Sequence, residues 1–407
     1  MLPTKFTTDW SYSQNEKTIN PDYFDLGGNL SRNMTLFGDH LYIVQRASDN
    51  ADIVIANAMT GERLGTLPAD GLTGGAWKFS SVASLSDAVV ACNLATSATG
   101  TLKVYAWTSD SATPVEILST TNHGARSGDL LSASGSLANG KLYLSSNTGY
   151  AGKIYVYTVS NGKASATPQV ITLKDDSGDD YNLGGDFAVI DIRANADGTF
   201  YASGKGGHSG LFNADGTLIK LFDSSVFTES NTFGSSMHVI DYGPFKLAAS
   251  TAYLSNSIEQ GYLALSNVTD GIDKATKLNH YPTLGKSSTR NATFVSTALG
   301  RVKGKKLHLW VMIPGQGIAK YTASDFASSA DDATIDPVAP ESIIILGNIV
   351  TTTLQNATAI AAYTPAGTLA AKTYGPALDT SSLTRGLYII MATLPDGTTL
   401  TTKALVR

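Results

Sequence analysis

Cysteine is nearly absent from this chain, since Cys92 is the only one in 407 residues. A lone cysteine excludes an intrachain disulfide. It lies in the apolar stretch 89–94, where we expect a buried and inert thiol rather than a nucleophile.

Charged side chains are also scarce, at 15% of the residues. The net charge is 29 − 34 = −5, and no long cluster of lysine and arginine occurs. This balance argues against nucleic acid as a main partner. The surface must consist mostly of Ser, Thr, Asn, Gly and Ala, which is common in secreted β-proteins.

Long apolar runs are missing as well, and none reaches the twenty or so residues that a membrane span requires. The opening residues, 1–5, turn polar too early for a signal peptide. We expect that a leader has been removed and that the protein is extracellular, cell-surface or periplasmic.

Motifs for catalysis and metal binding are lacking. The six histidines share no pair two to four residues apart, no Gly-x-Ser-x-Gly motif occurs, and no carboxylate pair is singled out. We therefore assign no catalytic residue and no cofactor, and an enzymatic role stays open but is not favoured. Four aspartates can supply calcium ligands, although their spacing differs from that of an EF-hand and a solvated acidic loop is the preferred interpretation: Asp175, Asp176, Asp179 and Asp180.

What the sequence does contain is a short polar-then-apolar phrase that recurs about every fifty residues. It is clearest at residues 31–36 and 289–294, with looser copies between them. The third residues of the six copies, here called the markers, are Asn33, Ser81, Asp129, Asp186, Ser236 and Asn291. They are 48, 48, 57, 50 and 55 residues apart. Periods of this size are typical of β-propellers, in which each blade is a four-stranded sheet.

Each unit has short strands rich in Val, Ile, Tyr and Thr, separated by Gly or Asn/Asp turns. We therefore predict an all-β protein with a six-bladed β-propeller at residues 1–323, and seven blades is the alternative count. The sixth unit lacks an outer strand, so we expect the N-terminal strand to complete it. Residues 324–340 are predicted to be a linker, and residues 341–407 a small β-sandwich.

The end of the chain carries a resemblance. Residues 378–390 read Leu-Asp-Thr-Ser-Ser-Leu-Thr-Arg-Gly-Leu-Tyr-Ile-Ile, followed by Gly397 and by Lys-Ala-Leu-Val at 403–406. This pattern resembles the C-terminal sorting domain of the type IX (Por) secretion system of Bacteroidetes. Residues 363–367 resemble the Tyr-Asp-x-x-Gly hairpin of that family, with Thr364 in place of Asp. The resemblance implies export by the secretion machinery and a surface location. The propeller is similar to secreted Bacteroidetes propellers of uncharacterised function.

The markers are predicted to begin the innermost strands, and so to form a ring at one mouth of the central channel. Arg32 and Arg290 stand next to Asn33 and Asn291 in the sequence. Two arginines facing Asp129 and Asp186 across a channel suit an anionic or sugar-like ligand. The alternative is that these polar groups satisfy one another.

Three further residues are candidates for ligand contact. Trp77 precedes the second marker and can face the channel mouth, although packing between blades is the alternative. His123 and His208 lie in glycine-containing loops from which they can reach a site.

These features favour a secreted or cell-surface binding protein whose partner is a glycan or a surface protein. One alternative is a carbohydrate hydrolase or lyase using Asp129, Asp186 and His123 or His208. Another is a structural component of a surface assembly. A propeller fold by itself does not discriminate among the three.

Overall fold

The computed structural model describes residues 1–47, 50–146, 152–184, 189–227, 232–254, 260–287, 290–324, 343–346, 349–352, 357–394 and 399–406. The chain divides into two compact units, Met1–Ala327 and Ser328–Arg407. In the described part, no helix is long and apolar enough to cross a bilayer.

The first unit begins with β1 (Lys5–Ser13) and continues through antiparallel sheets named here in chain order. Sheet one contains β2 (Ser31–Phe37), β3 (His40–Ala47), β4 (Asn50–Asn57) and β5 (Arg63–Thr66). Sheet two contains β6 (Trp77–Ser84), β7 (Val89–Leu94), β8 (Thr101–Trp107) and β9 (Val115–Thr121). Sheet three contains β10 (Ser127–Gly135), β11 (Asn139–Ser146), β12 (Lys153–Ser160), β13 (Lys163–Ala164) and β14 (Gln169–Thr172).

Three more sheets complete the first unit. Sheet four contains β15 (Asp191–Ala194), β16 (Phe200–Ser203), β17 (Gly210–Phe212) and β18 (Leu218–Leu221). Sheet five contains β19 (Thr232–Tyr242), β20 (Phe245–Leu254), β21 (Gln260–Asn267) and β22 (Thr276–His280). A short helix, α1 (Arg290–Phe294), then precedes β23 (Thr297–Lys303), β24 (Lys306–Ile313) and β25 (Gly317–Ser324). These three strands form sheet six together with β1, which pairs with β25 as its outer strand.

The first strands of the six sheets contact one another in succession, in the order β2, β6, β10, β15, β19 and β23, and β23 contacts β2. The described part of this unit is thus all-β and propeller-like. Alternation along a strand sends neighbouring side chains to two different interfaces. In β3, Leu41 and Ile43 pack against sheet six, where Trp310 is buried. Tyr42 and Val44 pack against sheet two. This double burial explains why the inner strands are continuously apolar.

Glycine occupies three of the hairpin turns, in line with the Gly or Asn/Asp turns expected between strands. Gly38, Gly243 and Gly304 have φ of 57°, 59° and 61°, a conformation that glycine adopts without steric cost. Each lies between the first and second strands of its sheet.

The predicted beginning of the sixth unit was wrong. Asn291 does not enter a strand, because residues 290–294 form α1 and the first strand begins only at Thr297. The Val295 N–H donates to Asn291 O at 3.1 Å, which closes this helical turn, and Ala292 and Val295 are buried below it. Burial of these small apolar side chains outweighs the likeness of the phrase to residues 31–36.

The fourth marker, Asp186, lies outside the described residues. The first strand of sheet four begins at Asp191, five positions after the marker. In sheet four, it is therefore Asp191 that starts the innermost strand.

The second unit contains two sheets in its described part. Its strands are β26 (Ile343–Leu346), β27 (Ile349–Thr352), β28 (Ala359–Tyr363), β29 (Leu369–Thr373), β30 (Ala377–Asp379), β31 (Gly386–Thr393) and β32 (Thr399–Val406). One sheet has the order β26-β27-β30 and the other β29-β28-β31-β32. A single apolar cluster draws on both sheets, with Val350 and Leu378 from the first and Ile360 and Ile390 from the second.

Candidate functional site

Three of the markers link the first strands of neighbouring sheets. Asn33 donates from Nδ2 to Val82 O at 2.8 Å and accepts from Val82 N at 3.0 Å. Similar bonds run from Leu131 N to Ser81 Oγ at 2.9 Å, from Ile192 N to Ser132 Oγ at 2.9 Å and from Ala298 N to Ser236 Oγ at 3.2 Å. These side chains satisfy backbone groups that would otherwise be buried without partners. Asn33 therefore faces the neighbouring sheet.

A carboxylate that the sequence analysis missed lies among these links. Asp191, which is 6% exposed, accepts from Ser132 Oγ at 3.2 Å and from Ser236 Oγ at 2.8 Å. It also pairs with Arg193 at 3.2 Å. The Asp-Gly turn at residues 197–198 could have revealed this residue, because counting back from that hairpin places the first strand of the sheet at 191–194.

A compact ionic cluster lies at the first residues of β2 and β10. Arg32 donates from Nη2 to Asp129 Oδ1 at 2.7 Å. Arg126 donates from Nε to Asp129 Oδ2 at 2.5 Å and from Nη2 to Oδ1 at 2.7 Å. The side chains of Arg32, Asp129 and Arg126 are 3%, 8% and 29% exposed. The structure thus brings two predicted site residues together and adds Arg126.

The electrostatics of this cluster keep Asp129 ionised. Burial alone would raise the pKa of the Asp129 carboxyl, but the hydrogen bond from Arg126 and the charge of Arg32 outweigh it and lower that pKa. Burial lowers the pKa of the Arg32 guanidinium, and Asp129 opposes that effect.

Asn291 joins the cluster from α1. Arg32 donates from Nη1 to Asn291 Oδ1, and Asn291 donates from Nδ2 to Asn29 O at 2.7 Å. Of the two arginines and two aspartates predicted to face one another, the structure therefore places Arg32 and Asp129, which contact each other. The Arg290 side chain and Asp186 lie outside the described part.

A second buried arginine of sheet one lies next to this cluster. Arg46 is 8% exposed and donates from Nη2 to Ser80 Oγ at 2.6 Å. Its guanidinium carbon lies 5.1 Å from the centroid of the Trp77 ring, which suits a cation–π contact. Burial and the positive charge of Arg32 lower the pKa of Arg46 to about 9. Trp77 is half-buried and packs between sheets one and two.

A cavity of about 40 Å³ opens beside these charges. It is lined by Arg32, Arg126, Asp129, Val189, Asn291, Phe294 and Val295. The space accommodates a water molecule or one small group of a larger ligand. Its apolar wall belongs to a cluster in which Leu130, Val189 and Val295 are buried and Phe294 is partly buried. Lys205 Nζ lies 5.5 Å from the centroid of the Phe294 ring.

The two candidate histidines have contacts outside this cluster. His123 stacks on Tyr155 with 4.0 Å between ring centroids and contacts the Tyr157 hydroxyl. Burial lowers the pKa of His123. The backbone carbonyl of His208 accepts from the Tyr181 hydroxyl at 2.9 Å.

In the acidic loop, carboxylates form hydrogen bonds and an ion pair with neighbouring residues of the same loop. Asp175 Oδ1 accepts from Ser177 N and from Asp179 N, both at 2.9 Å. Asp180 pairs with Lys174 at 2.5 Å. Among the described residues, no group of three His, Cys, Asp or Glu side chains is placed to hold a metal ion. A solvated acidic loop stays the preferred interpretation, with calcium binding as the alternative.

Fold and site together define a propeller-like all-β protein with a cationic cluster beside its innermost strands. Residues 3–189 match the DUF4623 family, described as a domain of unknown function. A crystal structure of a DUF4623 family protein from Bacteroides eggerthii DSM 20697 has a TM-score of 0.64 and 16% identity, covering 79% of this chain and 75% of that one. At this identity the likeness shows the fold alone.

Two more distant solved structures also match. The RRP9 WD40 repeats have a TM-score of 0.47 and 10% identity, over 80% of this chain and 99% of that one. The hydrazine synthase of Kuenenia stuttgartiensis has a TM-score of 0.39 and 12% identity, over 97% and 100%. No curated protein matches this sequence.

Proposed function

We propose that residues 1–323 form a six-bladed β-propeller closed by β1, followed by a linker at 324–340 and a β-sandwich at 341–407. The succession of contacts among the six first strands supports the blade count. The pairing of β1 with β25 supports closure by the N-terminal strand. The apolar cluster shared by two sheets supports the sandwich.

The protein is a secreted or cell-surface binding protein, and its channel mouth takes a glycan or a protein partner. The observation that carries this proposal is the convergence of Arg32, Arg126 and Asn291 on one small cavity. These residues come from β2, from the chain just before β10 and from α1. Convergent polar groups beside an apolar wall are typical of ligand sites.

The alternative of a hydrolase or lyase finds less support. Asp129 is bonded by two arginines, and its lowered pKa makes it a weak general base. The contacts of His123 are with Tyr155 and Tyr157 rather than with Asp129.

The test is a glycan microarray probed with the purified chain and with Arg126→Gln. Arg126 is partly exposed, so its replacement should weaken binding while the fold persists. Arg63→Gln is the matched control, because Arg63 pairs with Asp22 on the surface. We expect Arg63→Gln to bind like the native protein. The absence of any glycan signal would contradict a glycan partner and would favour a protein partner or a structural component of a surface assembly.

Residues 341–407 act in export, as their resemblance to the sorting domain implies. A reporter fused to these residues should leave the cell in a Bacteroidetes host with an active type IX system and stay inside when that system is disabled. A reporter retained in both hosts would contradict the export role.

A further inference from the structure

We propose that the channel mouth selects an acidic sugar and binds its carboxylate through Arg32 and Arg126. This inference rests on the proposed binding function and names its ligand class. It starts from an imbalance of charge among the described residues. Arg32 and Arg126 both bond to one carboxylate, Asp129, and Arg46 lies near enough to interact with it electrostatically, although the chain as a whole carries a net charge of −5.

The hydrogen-bond donors show the same imbalance. A guanidinium carries five N–H donors and no acceptor. The Nε atoms of Arg32 and Arg46 are buried and have no acceptor among the described residues. Arg32 is 2% and Arg46 is 8% exposed, so water has little access to hydrogen-bond these unpaired N–H groups. Burying charge without full pairing is unfavourable, and an incoming anion offsets this cost.

The burial of Arg46 supports this argument. Its pKa falls to about 9 because of desolvation and the repulsion of Arg32. An anion bound nearby would reduce that repulsion and would stabilise the protonated form.

The shape of the cavity points to a carboxylate on a sugar ring. About 40 Å³ holds one carboxylate but not a whole sugar. Arg126 is 29% exposed and is reachable from outside, and a guanidinium beside the cavity can bind a carboxylate through a charge-assisted hydrogen bond. The neighbouring Phe294, which is partly buried, presents an apolar surface that suits the C–H face of a pyranose. Lys205, near the Phe294 ring, adds positive charge.

Isothermal titration calorimetry tests the inference with three probes: oligogalacturonate, a neutral oligosaccharide of equal length and oligoglutamate. We expect only oligogalacturonate to bind, with an affinity that falls as salt rises. Arg126→Gln should weaken that affinity about tenfold to a hundredfold, as for the loss of a charge-assisted hydrogen bond. Arg126→Lys should restore part of it, since lysine keeps the charge but not the fork. Arg63→Gln is again the control.

The outcomes separate the two proposals. Equal binding of the neutral oligosaccharide, unaffected by Arg126→Gln, would overturn the acidic-sugar inference and leave glycan binding intact. Tighter binding of oligoglutamate would overturn it in favour of an acidic protein partner. Absence of any binding, here and on the microarray, would overturn both the acidic-sugar inference and the proposal of a glycan partner. If Arg126→Gln fails to fold, Phe294→Ala removes the apolar wall instead and should weaken oligogalacturonate binding without changing the salt dependence.

Discussion

An ion pair joins β1 to β25 in sheet six. Lys320 Nζ donates to Asp9 Oδ2, and the two side chains are 2% and 28% exposed. Asp9 lies at a break in the register between Thr8 and Trp10. Replacing Asp9 by alanine leaves the Lys320 ammonium without its carboxylate.

The expected cost follows from this burial. Removing one partner of a buried pair typically costs about 3–5 kcal/mol. Because Asp9 is partly exposed, solvent screens the pair, so we expect Asp9→Ala to lower the free energy of unfolding by about 3 kcal/mol, at the lower end of this range. The double variant Asp9→Ala/Lys320→Met removes both charges and should recover most of that loss, since an apolar replacement of both partners is often neutral.

The assay is urea unfolding monitored by fluorescence, with Asp22→Ala as the control. Asp22 pairs with Arg63 at 3.2 Å, but the side chains are 70% and 39% exposed, so its loss should cost less than about 1 kcal/mol. A change below about 1 kcal/mol for Asp9→Ala, equal to the control, would refute the role of this pair in holding β1 against β25. Additive effects of the two substitutions would refute the coupling between Asp9 and Lys320.

Three further predictions concern the interior of the first unit. Burial and the charge of Arg193 lower the pKa of His238 to about 3, below its value in the unfolded chain. The stabilisation is therefore complete above about pH 6.5 and is lost as the pH falls towards 3, so this group should reduce the free energy of unfolding by about 1.4 kcal/mol per pH unit below 6.5. Urea unfolding at pH 7 and pH 5 checks this, and an equal pH slope in His238→Asn would contradict it. Gly128 has φ of +93°, and an added Cβ would lie 2.0 Å from Asn93 O, so Gly128→Ala should cost more than about 1 kcal/mol in thermal or urea unfolding; an unchanged midpoint would contradict this. Burial raises the pKa of the Cys92 thiol to about 12, so Cys92 should resist a thiol reagent at pH 8 until urea unfolds the protein, and rapid labelling of the folded chain would show that it is accessible.

Strands and turns could be predicted from local sequence where an apolar run followed a turn residue. The apolar run at 41–44 and the glycine at 38 mark β3 and its hairpin in the sequence, because burial on both faces requires continuous apolar residues. The likeness between residues 289–294 and 31–36 misled, because a six-residue phrase does not encode whether Ala292 and Val295 will be buried at a helical turn.

The candidate site could be predicted only in part. Arg32 and Asp129 were selected as ring members, and the structure places them 2.7 Å apart. Arg126 and Arg46 were missed because neither belongs to the recurring phrase. Arg126 reaches Asp129 from three residues earlier in the chain, whereas the position of Arg46 near Asp129 depends on how sheets one, two and three pack.

The sequence by itself determined that this chain is all-β, that its units recur about every fifty residues and that it has little charge and one inert cysteine. These properties follow from composition and from periodicity along the backbone. Only the tertiary structure decided which polar residues link neighbouring sheets and which converge at the cavity. Asn33 is hydrogen-bonded to Val82 and Arg32 to Asp129, although Arg32 and Asn33 are adjacent in the sequence. Successive residues of a strand point to opposite sides. The partner of Asn33 is 49 residues away and that of Arg32 is 97 residues away, so the packing of the sheets decides which partner each residue meets.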